Sequence, residues 1–439
     1  MARRSQPINA DVPVPGGGQS PARVPPEHDR RQLPGAIKVV AALVLIAVVF
    51  IVAAIVGGGS NDGNSIPSAA PGGEQTAKRP EATTPEPVET EAPEEIGFPG
   101  FATNNTTRVG GGDPASNAAG VALAVFPSQT PEQRPDAVAL VDEADWQSAV
   151  AASVLMAEPI RAPLLISNAD EVPDATEEAI QSLDPAGSGP AHGAQTFAIG
   201  EAAAPSGLQT TRIHGAGPEA AATIAKLRDK LLGGPPDHVI VAPAAKPAFA
   251  MPAAAWAARS GDPVLYADAE SLPKPTEEAL RRHPEVPVYV LGPSSAISSQ
   301  VVRRIAAIDK RVRRVSGEDP VTNSVALARY SDAGFGWNVN DPGHGFVVAR
   351  SDSPLDAVAA APLSASGTWG PLLLTDSADT LPAALREYLL DVKPGYTTDP
   401  TRAFYNHVWL IGDQDTIDVT QQAEIDELAE LAKIGGGER

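Results

Sequence analysis

The chain contains no cysteine. That excludes thiol catalysis, a disulfide framework and lipid attachment through a cysteine, so any exported part must be stable through burial alone. Positive charge is scarce as well, with 33 Lys and Arg against 54 Asp and Glu and a formal net charge of -21. Eight of those bases and eleven of the acids precede residue 101, so the remainder keeps an excess of 18 acids. A surface of that sign repels anionic polymers at long range, so binding one requires a local basic patch or bridging cations, and no nucleic-acid partner is expected.

Catalytic grammar is missing too. The seven histidines are scattered, with no His-Glu-x-x-His and no carboxylates at metal-ligand spacing, so neither a metal centre nor a cofactor is expected. No serine stands in a Gly-x-Ser-x-Gly elbow. Gly110-Gly111-Gly112 lacks the Gly-x-Gly-x-x-Gly pattern of a dinucleotide site and reads as a turn. His344 could line a cleft, and Asp352 and Asp356 fall at a strand's carboxyl end, where helix capping competes with ligand binding. No catalytic residue is assigned and the chain is read as a non-enzyme. A wall-processing hydrolase with an unrecognised site, and a protein-partner module without glycan affinity, stand as alternatives.

What is present comes in four parts. Residues 1–35 are rich in Pro, Gly and Arg and read as a disordered tail. Val39 to Val56 are 18 consecutive residues drawn only from Ala, Val, Ile, Leu and Phe, with no polar face. A stretch of 36–57 is thus long enough to span a bilayer, for which about 20 apolar residues suffice. Basic residues before it place the N-terminus in the cytoplasm. An uncleaved, single-pass signal anchor in the plasma membrane follows, with the lipid bilayer as a partner and the remaining chain extracellular or periplasmic. Residues 58–100 form a Pro/Glu/Thr-rich acidic stalk.

From residue 101 one progression recurs three times. Val138 to Val141, Ala162-Pro163-Leu164-Leu165-Ile166, Val172-Pro173, Thr176-Glu177-Glu178-Ala179 and Ala198-Ile199-Gly200 make the first copy. Val239 to Val241, Asp262-Pro263-Val264-Leu265, Leu272-Pro273, Thr276-Glu277-Glu278-Ala279 and Val290-Leu291-Gly292 make the second. Phe346-Val347-Val348, Gly370-Pro371-Leu372-Leu373-Leu374, Leu381-Pro382 and Leu410-Ile411-Gly412 make the third. Three landmarks of the first two copies share an offset of 100 (163 to 263, 173 to 273, 176 to 276). An Arg-apolar pair heads each copy, at Arg108, Arg212 and Arg314, 104 and 102 residues apart. A period this long gives each copy a small core of its own, and units of 101–208, 209–309 and 310–434 are expected.

Short apolar runs without polar alternation predict strands buried on both faces. The helical stretches between them, Gln147 to Ala157, Ala253 to Ala258 and Pro382 to Leu390, predict an α/β fold of small parallel sheets flanked by helices. A last helix is expected over Thr420 to Ile434. The Thr-Glu-Glu-Ala segments read as helix starts, with carboxylates in the first turn.

This order of Arg-apolar, Asp-Pro, alanine-rich helix, Pro-Leu-Leu, Leu-Pro and apolar-Gly resembles the cell wall-binding repeat 2 family of bacterial surface proteins. Arg350 to Leu363 of the third copy is the segment most similar. Its helix-start acid, Asp356, is Ser148 and Ala250 in the other copies. The resemblance implies three units around a pseudo-threefold axis and noncovalent attachment to an anionic wall polymer or carbohydrate. It also implies an anchoring role for Leu164-Leu165-Ile166, Val264-Leu265-Tyr266 and Leu372-Leu373-Leu374. For the charge term, the sequence offers Arg311, Arg313 and Arg314, with Arg303, Arg304 and Lys310 beside them and Arg281 and Arg282 nearby. Their plainer reading is a solvated helix face, as that of the Pro-Leu-Leu runs is a buried strand.

Overall fold

The computed structural model describes residues 101–309, 311–366 and 370–434. The expected tail, membrane helix (36–57) and stalk lie outside the described residues. Among those described, no helix is long and apolar enough to cross a membrane.

Strand β1 (Phe101–Ala102) runs antiparallel to β2 (Thr106–Val109), and α1 (Pro114–Val125) follows. Asp113 caps α1, its carboxylate accepting the Ala115 and Ser116 amides that the first turn leaves without partners. Next come β3 (Val138–Asp142), α2 (Trp146–Ala152) with a 3-10 turn over Ser153–Met156, β4 (Leu164–Ser167), α3 (Asp174–Leu183), β5 (Thr196–Ile199), β6 (Thr210–Ile213) and α4 (Gly217–Leu232). The progression repeats as β7 (Val239–Pro243), α5 (Pro247–Ala250), α6 (Pro252–Ser260), β8 (Val264–Ala267), α7 (Lys274–Arg282), β9 (Val288–Leu291), α8 (Ser299–Ala306), β10 (Val312–Val315) and α9 (Pro320–Arg329). It repeats again as β11 (Gly345–Arg350), α10 (Pro354–Ala365), β12 (Leu372–Thr375), α11 (Ala383–Asp391), β13 (Gly395–Tyr396), β14 (His407–Ile411), α12 (Val419–Ala429) and β15 (Ala432–Lys433).

Three parallel sheets result, with strand orders β4-β3-β5-β6, β8-β7-β9-β10 and β12-β11-β14-β2. The order is the same each time. In the first two sheets the fourth strand is the Arg-apolar strand that follows in sequence. In the third it is β2, from the start of the repeat region, with Leu410 opposite Arg108 just as Ala198 faces Arg212 and Val290 faces Arg314. The strand at the head of each sequence copy is therefore hydrogen-bonded into the sheet of another copy, and β2 joins the two ends of the described chain.

The Leu/Val-Pro turns do the same work three times. Pro173, Pro273 and Pro382 stand just before α3, α7 and α11, where a missing amide hydrogen costs nothing, and each carbonyl accepts the amide four residues on, at 2.9, 3.0 and 2.9 Å. Thr176 and Thr276 are buried and donate their hydroxyls to the Ile166 and Tyr266 carbonyls at 2.5 and 2.6 Å, tying each helix to the end of its Pro-Leu-Leu strand. The neighbouring glutamates Glu177, Glu178 and Glu278 are exposed. The Thr-Glu-Glu-Ala signature is thus a helix anchor.

Helices α2, α6 and α10 pack against one another. Their buried positions are rich in alanine, including Ala149, Ala151, Ala253, Ala254, Ala257, Ala357, Ala360 and Ala361. Small side chains let the backbones approach closely. One continuous apolar core joins the first two sheets and takes in Val358, Ala359 and Ala361 of α10.

One expected element is corrected. The last helix ends at Ala429, not at Ile434, because Ala432 and Lys433 leave it to pair with Gly395 and Tyr396.

Candidate polymer-binding surface

The nine residues of the Pro-Leu-Leu runs occupy β4, β8 and β12, the outermost strands of their sheets. None of Leu164, Leu165, Ile166, Val264, Leu265, Tyr266, Leu372, Leu373 and Leu374 is more than 1% exposed. Each strand is overlaid by the helix after an Arg-apolar strand: α1 on β4, α4 on β8 and α9 on β12. The free edge of β12 is partly closed as well, since the Leu374 amide donates to Ser324 Oγ at 3.1 Å. Tyr266, which closes the run in the second copy, donates its hydroxyl to the Gln147 carbonyl at 2.7 Å, linking β8 to α2. Burial, with Asp145 nearby, pushes its phenol well above the usual range. A solvated polymer has no access to these side chains; they hold each sheet against its covering helix and, through Tyr266, link the second copy to the first.

The three heading arginines form the most regular polar feature of the fold. Arg108, 2% exposed, donates to the Gly412, Asp413 and Ile417 carbonyls and to Gln422 Oε1. Arg212 donates to the Gly200 and Ala202 carbonyls, and Arg314 to those of Gly292 and Ile297. In each case the guanidinium holds the glycine that closes an apolar strand. The amides of Gly200, Gly292 and Gly412 answer by donating to Ile213, Val315 and Val109 at 2.8 to 3.0 Å. With φ of +62°, +88° and +104°, these turns favour glycine. Arg314 therefore serves the fold, and burial lowers its guanidinium from the usual range.

Arg313 on β10 and Arg311 just before it are exposed. Arg313 reaches Asp332 at 3.7 Å, while Arg311 has no carboxylate within ion-pair distance among the described residues. On α7, Glu277 bridges Arg281 and, from α8, Arg304 at 2.6 Å each, and these two cations hold its carboxyl below the usual range. Arg282 stands 3.8 Å from Asp229, and Arg303 is exposed without a carboxylate partner among the described residues. The predicted basic residues that the structure describes thus lie on α7, on α8 and on or just before β10, the end strand of the second sheet, and are partly neutralised. Lys310 lies outside the described residues.

The remaining candidates have structural partners. Asp356 is buried and accepts from Asn117 Nδ2 at 2.9 Å, a contact between α10 and α1; burial raises its carboxyl. Asp352 pairs with Arg350 at 2.7 Å, and His344 Nε2 lies 3.3 Å from Asp341. His238 escaped the sequence reading. Its Nδ1 lies 3.1 Å from the buried Asp262 carboxylate and its Nε2 3.2 Å from the Ala333 carbonyl, and Asp262 also accepts from Trp256 Nε1 at 2.9 Å. Both ring nitrogens face acceptors, so this pair joins the second copy to the loop around Ala333. Among the described residues no three His, Asp or Glu side chains converge as a metal site.

A chain of repeated α/β units, each a small parallel sheet with helices around it, is the class these features define. Residues 216–302 and 314–421 match the family model of cell wall binding domain 2 (CWB2), as two tandem repeats. Among solved structures, Cwp6 from Clostridium difficile is similar with a TM-score of 0.59 and 21% identity, covering 74% of this chain and 48% of that one. Cwp8 from Clostridium difficile gives 0.56 and 19%, covering 74% and 52%. The chain thus spans about half the length of these structures. No curated protein matches it in sequence.

Proposed function

We propose that this is a noncatalytic envelope protein that binds a cell-wall polymer through its three α/β units. The observation that carries this reading is the threefold recurrence of one sheet, two of whose copies fall within the CWB2 match. On this reading the three units close a ring with approximate threefold symmetry, which the mutual packing of α2, α6 and α10 and the insertion of β2 into the third sheet support. The run of Val39 to Val56 tethers the ring to the plasma membrane, with the repeats outside.

The ligand is an anionic wall polysaccharide. An excess of acid over the whole repeat region disfavours its approach, so local charge decides the contact. The exposed Arg303, Arg311 and Arg313 are the side chains offered to it, with bridging cations assisting. The Pro-Leu-Leu runs act at one remove, by holding α1, α4 and α9 in place.

Co-sedimentation of the detergent-solubilised full chain with purified bacterial walls tests this. Sedimentation with the walls and release by salt are expected; protein left in the supernatant with and without divalent cations would refute it. Soluble peptidoglycan fragments appearing over time would mark the chain as a hydrolase instead.

A further inference from the structure

The connection that leads into the apolar-Gly strand is longest in the third unit: fifteen residues, 392–406, separate α11 from β14, against twelve between α3 and β5 and five between α7 and β9. This loop holds Phe404 and Tyr405, which are 71% and 56% exposed and are the exposed aromatic side chains among the described residues. Every other large aromatic that the structure describes has found cover in a core or against a neighbour.

The exposure is built, because the loop is fastened on all sides. Asp399 caps its 3-10 turn through the Thr401 amide at 3.0 Å and the Thr401 hydroxyl at 2.7 Å. Tyr405 donates its hydroxyl to the Pro400 carbonyl at 3.0 Å. Asn406, 4% exposed, accepts from the Gly343 and His344 amides and donates to the Val392 carbonyl at 2.8 Å, locking the loop to the approach of β11. Gly343, with φ of +109°, lies under Phe404 so closely that a Cβ there would come within 3.1 Å of the Phe404 Cβ and 3.2 Å of its ring. Holding an apolar ring in water costs hydration free energy, and a fixed ring loses less conformational entropy when it is covered.

We propose that Phe404 and Tyr405 are a sugar-stacking subsite, on which a pyranose ring of the wall polymer lies with its C–H face against an aromatic face. This rests on the reading of the chain as a wall-polymer binder and supplies what that reading lacks, a contact independent of charge. Size and surroundings select a sugar. A stable protein partner needs about 800 Å² per side, several times what two rings offer, whereas one aromatic face matches one sugar ring. The rim is polar: Arg402 is exposed without a carboxylate partner among the described residues, and His344 and Asp341 stand beside Gly343. Arg402 can meet an acidic substituent on the same sugar, and the others its hydroxyls.

Wall retention of the full chain, measured as a binding isotherm on purified walls at low and high salt, is the test. Phe404→Leu with Tyr405→Leu keeps apolar bulk and removes the ring faces; Arg311→Glu with Arg313→Glu alters only charge. The leucine pair is expected to weaken retention about tenfold, equivalent to about 1.4 kcal/mol, equally at both salt concentrations, while Phe404→Trp preserves it. Unchanged retention of the leucine pair, with binding by the unsubstituted chain intact, overturns the subsite and leaves the wall-binding reading standing. Failure of the unsubstituted chain to bind overturns both. Circular dichroism melting of the leucine pair should match that of the unsubstituted chain; a lowered melting temperature accompanied by retention that recovers on cooling would also count against the subsite.

Discussion

Replacing Arg108 by alanine tests how the repeat region holds its ends together. The side chain is almost fully buried, and its nitrogens satisfy Gln422 Oε1 and the Gly412, Asp413 and Ile417 carbonyls, all more than 300 residues away in sequence. Burial lowers the guanidinium from its usual range, opposed by Asp413 and Asp418. Alanine removes the desolvated cation, which is a gain, but leaves four acceptors without donors. An orphaned buried acceptor costs about 1–3 kcal/mol, and water entering the vacated space recovers part of that, so a net loss of about 3–5 kcal/mol is expected. Domain stabilities are about 5–15 kcal/mol, so such a loss would be plain in a urea titration. Arg212→Ala is the control, because the same motif there is exposed and makes bonds to two carbonyls; it should cost about 1 kcal/mol or less. Arg108→Lys should fall between them, since an ammonium cannot reproduce the forked geometry. Equal urea midpoints for Arg108→Ala and Arg212→Ala would refute the reasoning.

Three further outcomes follow. Leu165→Ala should cost about 2–5 kcal/mol of stability, yet bind walls normally at a temperature where it is folded; loss of retention in the fully folded variant would instead indicate direct contact. Arg311→Glu with Arg313→Glu should weaken wall retention most at low salt, whereas Arg314→Ala should chiefly lower the melting temperature, because its bonds go to Gly292 and Ile297. For His238, burial lowers the imidazole but is outweighed by the hydrogen bond and charge of Asp262, with the Ala333 carbonyl and Asp237 adding to them, so its folded value is raised. Its stabilisation is then complete below the unfolded value, roughly 6.5, and is lost as pH rises through the folded one. Urea midpoints of the unsubstituted chain should therefore fall relative to those of His238→Gln between mildly acidic and mildly alkaline pH, and parallel curves would contradict this.

Much of the fold was legible because it is written three times. The recurring order located the Pro-Leu-Leu strands, the Pro turns and the apolar-Gly strands in all three copies, and the offset of 100 aligned the first two of these features between copies one and two. Spacing, however, says nothing about which sheet accepts a strand. Arg108, Arg212 and Arg314 were visible as a series, but their bonds to the closing glycines depend on β2, β6 and β10 lying beside β14, β5 and β9, a pairing between segments that no local pattern encodes. Surface features were harder still. Arg311, Arg313 and Arg314 look alike in sequence, and only three-dimensional burial separates the two exposed ones from the one spent on the fold. Phe404 and Tyr405 gave no signal, because the equivalent connections of the other copies, 184–195 and 283–287, hold no Phe, Tyr or Trp, and an exposed aromatic reads in sequence like a core one. His238 and Asp262 stand 24 residues apart and meet only because β7 and the start of β8 are neighbours.

The central claim is that the repeat region grips a wall polymer through its folded surface and leaves that polymer unchanged. One sedimentation series on purified walls measures both halves of it, by following bound protein and soluble wall carbohydrate in the same tubes. Saturable binding, reversed by salt, with no carbohydrate released over hours is the predicted result; protein that stays in solution, or sugar that accumulates with time, would contradict it.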